Sequence, residues 1–240
     1  PEYEGNVYSP TQNFKVNLNS WVEAPTFRAS PGQIFNAGPV MSYSMSRIKG
    51  KPMTVSEWQT PSFQPYAYEL PLIISAYAGF HDWDAMYSYA FAQNDGEYVP
   101  GPLESVWQIA NNPAHQVLST VAALAYLRGD VTPAPEKISI HYSDSDIFKN
   151  LLAKVPQIGG DAYFWWGKNV PLWAPYVVPV QRDVSVDGAD SGPLELLSQS
   201  DTGRYASTTG ELVWETRATV GAHVAGVTAG DRVVVQSNLF

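Results

Sequence analysis

Residues 53–58 read Met-Thr-Val-Ser-Glu-Trp, a short apolar and β-branched run between Pro52 and Pro61 that predicts a buried strand. Residues 70–80, Leu-Pro-Leu-Ile-Ile-Ser-Ala-Tyr-Ala-Gly-Phe, predict an apolar helix, and residues 85–91, Ala-Met-Tyr-Ser-Tyr-Ala-Phe, predict a second strand. Strand, helix and strand in this order form a βαβ unit, whose two strands are expected to run parallel.

The rest of the chain divides around this unit. Residues 1–48 are rich in Asn, Ser, Pro and Gly without a lasting period, which predicts a long loop region. A helix is expected from Ala114 to Leu127, ended by Gly129 at its C-cap. Beyond a boundary near 131–136 the pattern alternates, which predicts an antiparallel, β-sandwich-like domain over 131–240. Its expected strands are Lys137–Tyr142, Glu211–Glu215 and Arg232–Gln236.

Composition excludes several classes of protein. The 240 residues are 45% apolar and 13% aromatic with a net charge of −9, which is typical of a globular chain and argues against a nucleic-acid binder. No apolar run approaches the roughly 20 residues that a membrane-spanning helix needs. The chain has no Cys and no HExxH, GxSxG or phosphate-binding Gly motif, so no cofactor and no metal are predicted.

Two parallel strands cannot complete a sheet by themselves, because strands of parallel sheets are normally paired on both edges and covered on both faces. The sequence offers no other parallel-type strand. We therefore expect another polypeptide segment to supply the missing strands. The first residue is Pro1 and no Met or basic leader precedes it, which predicts either a removed leader, with a secreted or periplasmic location favoured, or a piece of a longer chain.

Glu57 is the ionisable residue with the clearest chemical potential. It lies at the end of the first predicted strand, and the C-terminal ends of parallel strands form the reaction face of α/β barrels. A carboxylate there can attack an anomeric carbon and be displaced by water. The alternative is a structural Glu that is paired with a buried Arg or hydrogen-bonded to a loop.

The stretch from Gly50 to Trp58, the proline-rich loop after it, and the run from Glu69 through His81-Asp82-Trp83-Asp84 to Phe91 resemble a known family. They are similar to the seventh strand, seventh helix and eighth strand of clan A retaining (β/α)8-barrel glycoside hydrolases, in the β-galactosidase-like and agarase-like branches. The resemblance is specific over 49–92. Ser56 stands where Thr is common in the family.

This resemblance implies an α/β plus all-β fold, with the C-terminal portion of a (β/α)8 TIM barrel followed by an antiparallel β domain. Residues 49–130 would be the closing βαβα portion, residues 1–48 would lie near the barrel mouth, and Glu57 would be the nucleophile. The family's acid/base is a Glu directly after an Asn, and this sequence contains no Asn-Glu dipeptide. The acid/base is therefore expected on a segment absent from this chain. The competing hypothesis is a non-catalytic carbohydrate-binding or structural β module.

Aromatic residues supply the expected sugar contacts, because a ring face packs well against the apolar face of a sugar. The predicted substrate-binding residues are Trp58, Tyr8, Trp21 and Phe91. Trp83 is expected in the core. A second aromatic cluster at 163–176 is read as interdomain packing, with a sugar platform as the alternative. Asp183, Asp187 and Asp190 lack the spacing of a calcium loop and are read as a polar turn.

Overall fold

The structure is a computed structural model of the 240-residue chain. It describes residues 39–44, 46–59, 70–92, 100–102, 107–152, 168, 170–171, 173–199, 204–215, 224–227 and 233–235.

The described residues form five α-helices, eight short strands and one 3₁₀ helix. In chain order they are α1 (Pro39–Ser44), β1 (Thr54–Trp58), α2 (Leu70–His81), β2 (Ala85–Ser88), α3 (Pro113–Arg128), β3 (Ile138–His141), α4 (Asp144–Leu152), α5 (Ala174–Val177), β4 (Val180–Asp183), the 3₁₀ helix (Leu194–Ser198), β5 (Arg204–Ala206), β6 (Val213–Glu215), β7 (Val224–Val227) and β8 (Val233–Val235).

The predicted βαβ unit is confirmed. β1 and β2 pair in parallel, with Thr54 opposite Ala85 and Val55 opposite Met86, and α2 lies between them in the chain. No third strand pairs with β1 or β2 among the described residues. A parallel sheet of only two strands is not expected to be stable by itself, so β1 and β2 are expected to have further neighbours. The barrel itself stays a prediction.

The ends of α2 and α3 follow from their local sequence. After α2, Asp82 adopts a left-handed conformation with φ 56, and Trp83 donates its backbone N–H to the carbonyl of Ala78. This is a Schellman-type end in which a short polar residue replaces glycine. At α3, the Asn112 side chain accepts from the amide of His115, and Gly129 is left-handed at φ 67, as predicted for a C-cap.

Two expectations about the flanking regions are wrong. Residues 39–44 form the helix α1 instead of continuing the predicted loop, while residues 1–38 lie outside the described residues. β3 was expected in an antiparallel sheet, but it pairs in parallel with β4, from Ile138 opposite Val180 to His141 opposite Asp183. The sequence of β3 alternates, but the polar Ser139 is buried together with Ile138 and Ile140, so β3 is covered on both faces as parallel strands usually are.

The C-terminal strands match the sequence better. β5 to β8 form an antiparallel sheet in sequential order, and the predicted strands near 211–215 and 232–236 become β6 and β8. The described connection between β5 and β6 contains Gly210, which has the positive φ of 72 that tight hairpin turns favour. The predicted antiparallel pairing is confirmed for this region.

One hydrophobic cluster includes residues from both sides of the predicted boundary at 131–136. Tyr77 of α2 meets Tyr176 of α5 edge to face, with ring centroids 5.2 Å apart, and Tyr176 also contacts Trp214 of β6. All three side chains are fully buried. The βαβ unit and the following β elements therefore share a core, and the domain division at 131 stays a prediction.

No helix in the described part of the chain combines the length and apolar character that crossing a membrane would require.

Candidate active site

Glu57 lies near the C-terminal end of β1, next to an irregularity in the sheet. Val55 pairs with Met86 and Trp58 pairs with Ser88, so three steps along β1 correspond to two steps along β2. One extra residue is thereby inserted at Ser56–Glu57, which is the definition of a β-bulge.

The bulge decides which way Glu57 faces. Side chains of a regular strand alternate between two faces, so Val55 and Glu57 would share one face and Ser56 and Trp58 the other. In the structure Val55 and Trp58 are buried, whereas Ser56 and Glu57 are both exposed. The extra residue therefore turns the Glu57 carboxylate away from the core and the Trp58 indole into it.

The Glu57 carboxylate has no hydrogen bond or ion pair within the described residues, so the structural alternative of a Glu paired with Arg gains no support there. Its backbone carbonyl accepts a hydrogen bond from the Tyr43 hydroxyl at 3.3 Å. Tyr43 comes from α1 and was missed in the sequence, because its segment had been read as loop and lies 14 residues before Glu57.

Trp58 is only 7% exposed and belongs to the core. Its indole stacks on the imidazole of His115 from α3, with ring centroids 6.3 Å apart and planes inclined by 23°. His115 is fully buried, and burial lowers the pKa of its imidazole to about 4. The stacking on His115 shows that Trp58 packs in the core, while a role in lining a sugar site stays a prediction.

Exposed aromatic rings lie along β2 and just beyond it. Tyr87 is 61% exposed, Tyr89 is 41% exposed and Phe91, a predicted sugar contact, is 55% exposed. Tyr89 donates its backbone N–H to the carbonyl of Trp58, which brings this end of β2 beside the end of β1 that bears Glu57. Tyr87 and Tyr89 were not singled out from the sequence, since exposure of a strand face cannot be read from an aromatic-rich run.

The remaining predicted aromatic residues divide into two groups. Tyr8 and Trp21 lie outside the described residues, as does most of the second aromatic cluster. Trp83 is 3% exposed, which confirms its expected core position. Trp173 and Tyr176, the described members of the second cluster, are buried. Trp173 stacks on Tyr205 of β5, within the same predicted domain, whereas Tyr176 meets Tyr77 across the predicted boundary, so interdomain packing of the cluster stays a prediction.

Asp183 and Asp190 hydrogen-bond to distant segments of the chain. Asp183 accepts from the Lys49 ammonium at 2.7 Å and from the Ser185 hydroxyl, and these bonds hold the pKa of its carboxyl well below the usual range. Asp190 accepts the backbone N–H of His141 at 2.7 Å. Asp183 is the last residue of β4 and therefore lies outside a turn, whereas Asp187 lies in one, as predicted.

Comparisons of the chain with protein-family models, with curated proteins and with solved structures found no match. The glycoside hydrolase resemblance of residues 49–92 therefore stays a prediction that rests on the motif residues themselves.

Proposed function

We propose that this chain is the C-terminal portion of a retaining β-glycoside hydrolase that cleaves a β-linked oligo- or polysaccharide, with Glu57 as the nucleophile. The observation that supports the proposal is an exposed carboxylate at the C-terminal end of a parallel strand, with no hydrogen bond or ion pair to any other residue that the structure describes. Such strand ends are where barrel enzymes keep their reactive groups.

The proposed reaction has two steps. A Glu57 carboxylate oxygen attacks the anomeric carbon, the bond to the leaving oxygen breaks, and that oxygen takes a proton from the general acid. Water then attacks the anomeric carbon of the glycosyl-enzyme, the general base takes a proton from that water, and the bond to Glu57 breaks. Because the partner carboxyl must lie about 5–5.5 Å from the nucleophile, it is expected on the segment that completes the barrel.

The exposed rings near the end of β2 support a carbohydrate substrate. Phe91 leaves more than half of its surface exposed to solvent. An exposed aromatic face beside a reactive carboxylate suits the apolar face of a sugar ring. The sugar itself is left open, and no cofactor or metal enters the proposed reaction.

The test uses the full-length gene product and a panel of 2,4-dinitrophenyl β-glycosides. Dinitrophenolate leaves without a proton, so its release reports attack by the nucleophile and does not depend on the general acid. We expect Glu57→Gln to lose on the order of a thousandfold or more in kcat at an unchanged thermal midpoint. Azide should restore turnover to Glu57→Ala, because a small anion fits the space of the deleted side chain.

A Glu57→Gln variant within tenfold of the parent would exclude Glu57 as nucleophile. Binding of oligosaccharide by a full-length gene product that releases no dinitrophenolate would favour the carbohydrate-binding module instead.

A further inference from the structure

We propose that Tyr43 is a positioning residue for Glu57, because its hydroxyl holds the bulge that turns the Glu57 carboxylate outward. The inference rests on the proposed function for its catalytic meaning, while its structural content can be tested without activity.

The bulged arrangement of β1 needs a stabilising contact. An extra residue in one strand disrupts the ladder of hydrogen bonds at that point. Among the described residues, the Tyr43 hydroxyl is the only side-chain group that hydrogen-bonds to residues 55–58, and it reaches the carbonyl of Glu57 itself. The bond therefore acts on the one peptide group that joins the exposed Glu57 to the buried Trp58.

Tyr43 is itself held in place. Its ring meets Trp83 edge to face, with centroids 6.2 Å apart and planes at 77°, and Trp83 lies in the core directly after α2. The neighbouring Ser44 hydroxyl donates to the carbonyl of Val40 at 2.6 Å, which closes the last turn of the short helix α1. The hydroxyl of Tyr43 thus approaches β1 from a packed position.

The alternative arrangement explains why an anchor matters. A regular β1 without the extra residue would exchange the faces of Glu57 and Trp58, because a shift of one residue moves side chains to opposite sides. The carboxylate would then point toward the core and the indole toward solvent. A bond to the Glu57 carbonyl stabilises the bulged arrangement against this exchange.

The experiment compares Tyr43→Phe with Tyr126→Phe, each of which deletes only a hydroxyl. The Tyr126 hydroxyl also donates to a backbone carbonyl, that of Trp83, so the control removes the same kind of bond at a site other than Glu57. Amide hydrogen exchange is measured by mass spectrometry on the full-length gene product. We expect exchange over residues 54–59 to rise about fivefold in Tyr43→Phe and to stay at the parental rate in Tyr126→Phe.

The catalytic readout uses the 2,4-dinitrophenyl β-glycoside of the panel that the parent cleaves fastest. Tyr43→Phe should lower kcat on the order of tenfold to a hundredfold with little change in KM, since a displaced nucleophile slows attack more than binding. Tyr126→Phe should leave kcat near the parental value at a comparable thermal midpoint. A merely structural Tyr43 would lower the midpoint and leave kcat per folded molecule unchanged.

The outcomes separate the two proposals. Parental exchange over 54–59 in Tyr43→Phe, or an equal rise in both variants, would overturn the role of Tyr43. If the parent itself releases no dinitrophenolate, the proposed function fails, and the exchange rates still decide whether Tyr43 holds the bulge.

Discussion

The indole of Trp58 lies over the imidazole of His115, with ring centroids 6.3 Å apart and ring planes inclined by 23°. This stack joins the end of β1 to the first turn of α3, and both side chains are buried. Glu57, the residue just before Trp58, is exposed. The bulge in β1 therefore has two effects: it places the Trp58 ring in the core and exposes the Glu57 carboxylate on the opposite side.

Replacement of Trp58 by Phe tests which of two roles this residue has. A smaller ring would leave a void against His115, so we expect the free energy of unfolding to fall by about 1–3 kcal/mol with KM unchanged. Urea denaturation and steady-state kinetics on a dinitrophenyl glycoside check this. A raised KM at parental stability would instead support the sugar-lining role that the sequence predicted.

Acid sensitivity should follow from two buried histidines. Burial lowers the pKa of His81 to about 3 and that of His115 to about 4, from an ordinary value of 6.5. His81 donates Nε2–H to the carbonyl of Pro175 in α5 at 2.8 Å. This bond by itself raises the pKa of the ring, but burial outweighs it and keeps the imidazole neutral.

The unfolded chain takes up a proton at each ring as the pH falls below 6.5, while the folded chain stays neutral until about 4 or lower. The contribution of the two rings to stability is therefore complete above pH 6.5 and falls as the pH drops from about 6.5 to about 4 for His115 and to about 3 for His81. His115→Phe keeps a ring on Trp58 without a titrating group. Urea titrations near neutral pH and near pH 5 should show a smaller acid loss in this variant, and an identical loss would contradict the assignment.

The C-terminal end of α2 depends on a buried guanidinium. Arg47 donates from Nη1 to the carbonyl of His81 at 2.6 Å and to that of Asp82 at 3.0 Å, and it is 8% exposed. Charged donors at helix C-termini satisfy free carbonyls and complement the helix dipole. We expect Arg47→Met to lower the free energy of unfolding by about 2–3 kcal/mol.

The matched control is Arg128→Met. Arg128 pairs with Asp130 on the surface, and its side chain is 65% exposed, so its loss should lower the free energy of unfolding far less than the loss of Arg47 does. Similar losses in both variants would show that the Arg47 bonds do not stabilise α2 as described.

The shared core predicts cooperative unfolding. Tyr77, Tyr176 and Trp214 form a continuous buried chain of rings from α2 to β6. Calorimetry of the chain should show one transition, and Tyr77→Ala should move it as a whole with a loss of about 3–5 kcal/mol. Two separate transitions, with one unaffected by Tyr77→Ala, would instead support the two independent domains that the sequence predicts.

Much of the βαβ unit could be predicted because its signals are local. The β-branched run at 53–58, the apolar run at 70–80 and Gly129 as a C-cap all act within a few residues. The parallel pairing of β3 could not, since its partner β4 lies about 40 residues away and the polar Ser139 is buried together with its apolar neighbours, so the alternation in the sequence does not mark a solvent-facing side.

The candidate site shows the same division. Glu57 could be proposed from its position at a strand end. Its outward direction could not, because regular alternation would place Glu57 on the same face as the buried Val55, and only the bulge turns it outward. Tyr43 could not be found, because its bond to Glu57 spans two elements and depends on the short helix α1. Sequence patterns locate the strand, whereas the register and the packing orient its side chains.

Covalent labelling of Glu57 tests the central claim most directly. The full-length gene product is incubated with 2,4-dinitrophenyl 2-deoxy-2-fluoro-β-glycosides, whose fluorine slows the breakdown of the glycosyl-enzyme more than its formation. The labelled peptide is then located by mass spectrometry. The account predicts a stoichiometric glycosyl adduct on Glu57 that is lost in Glu57→Gln. An adduct on another carboxylate, or turnover of the parent glycosides without any adduct on residues 54–59, would contradict it.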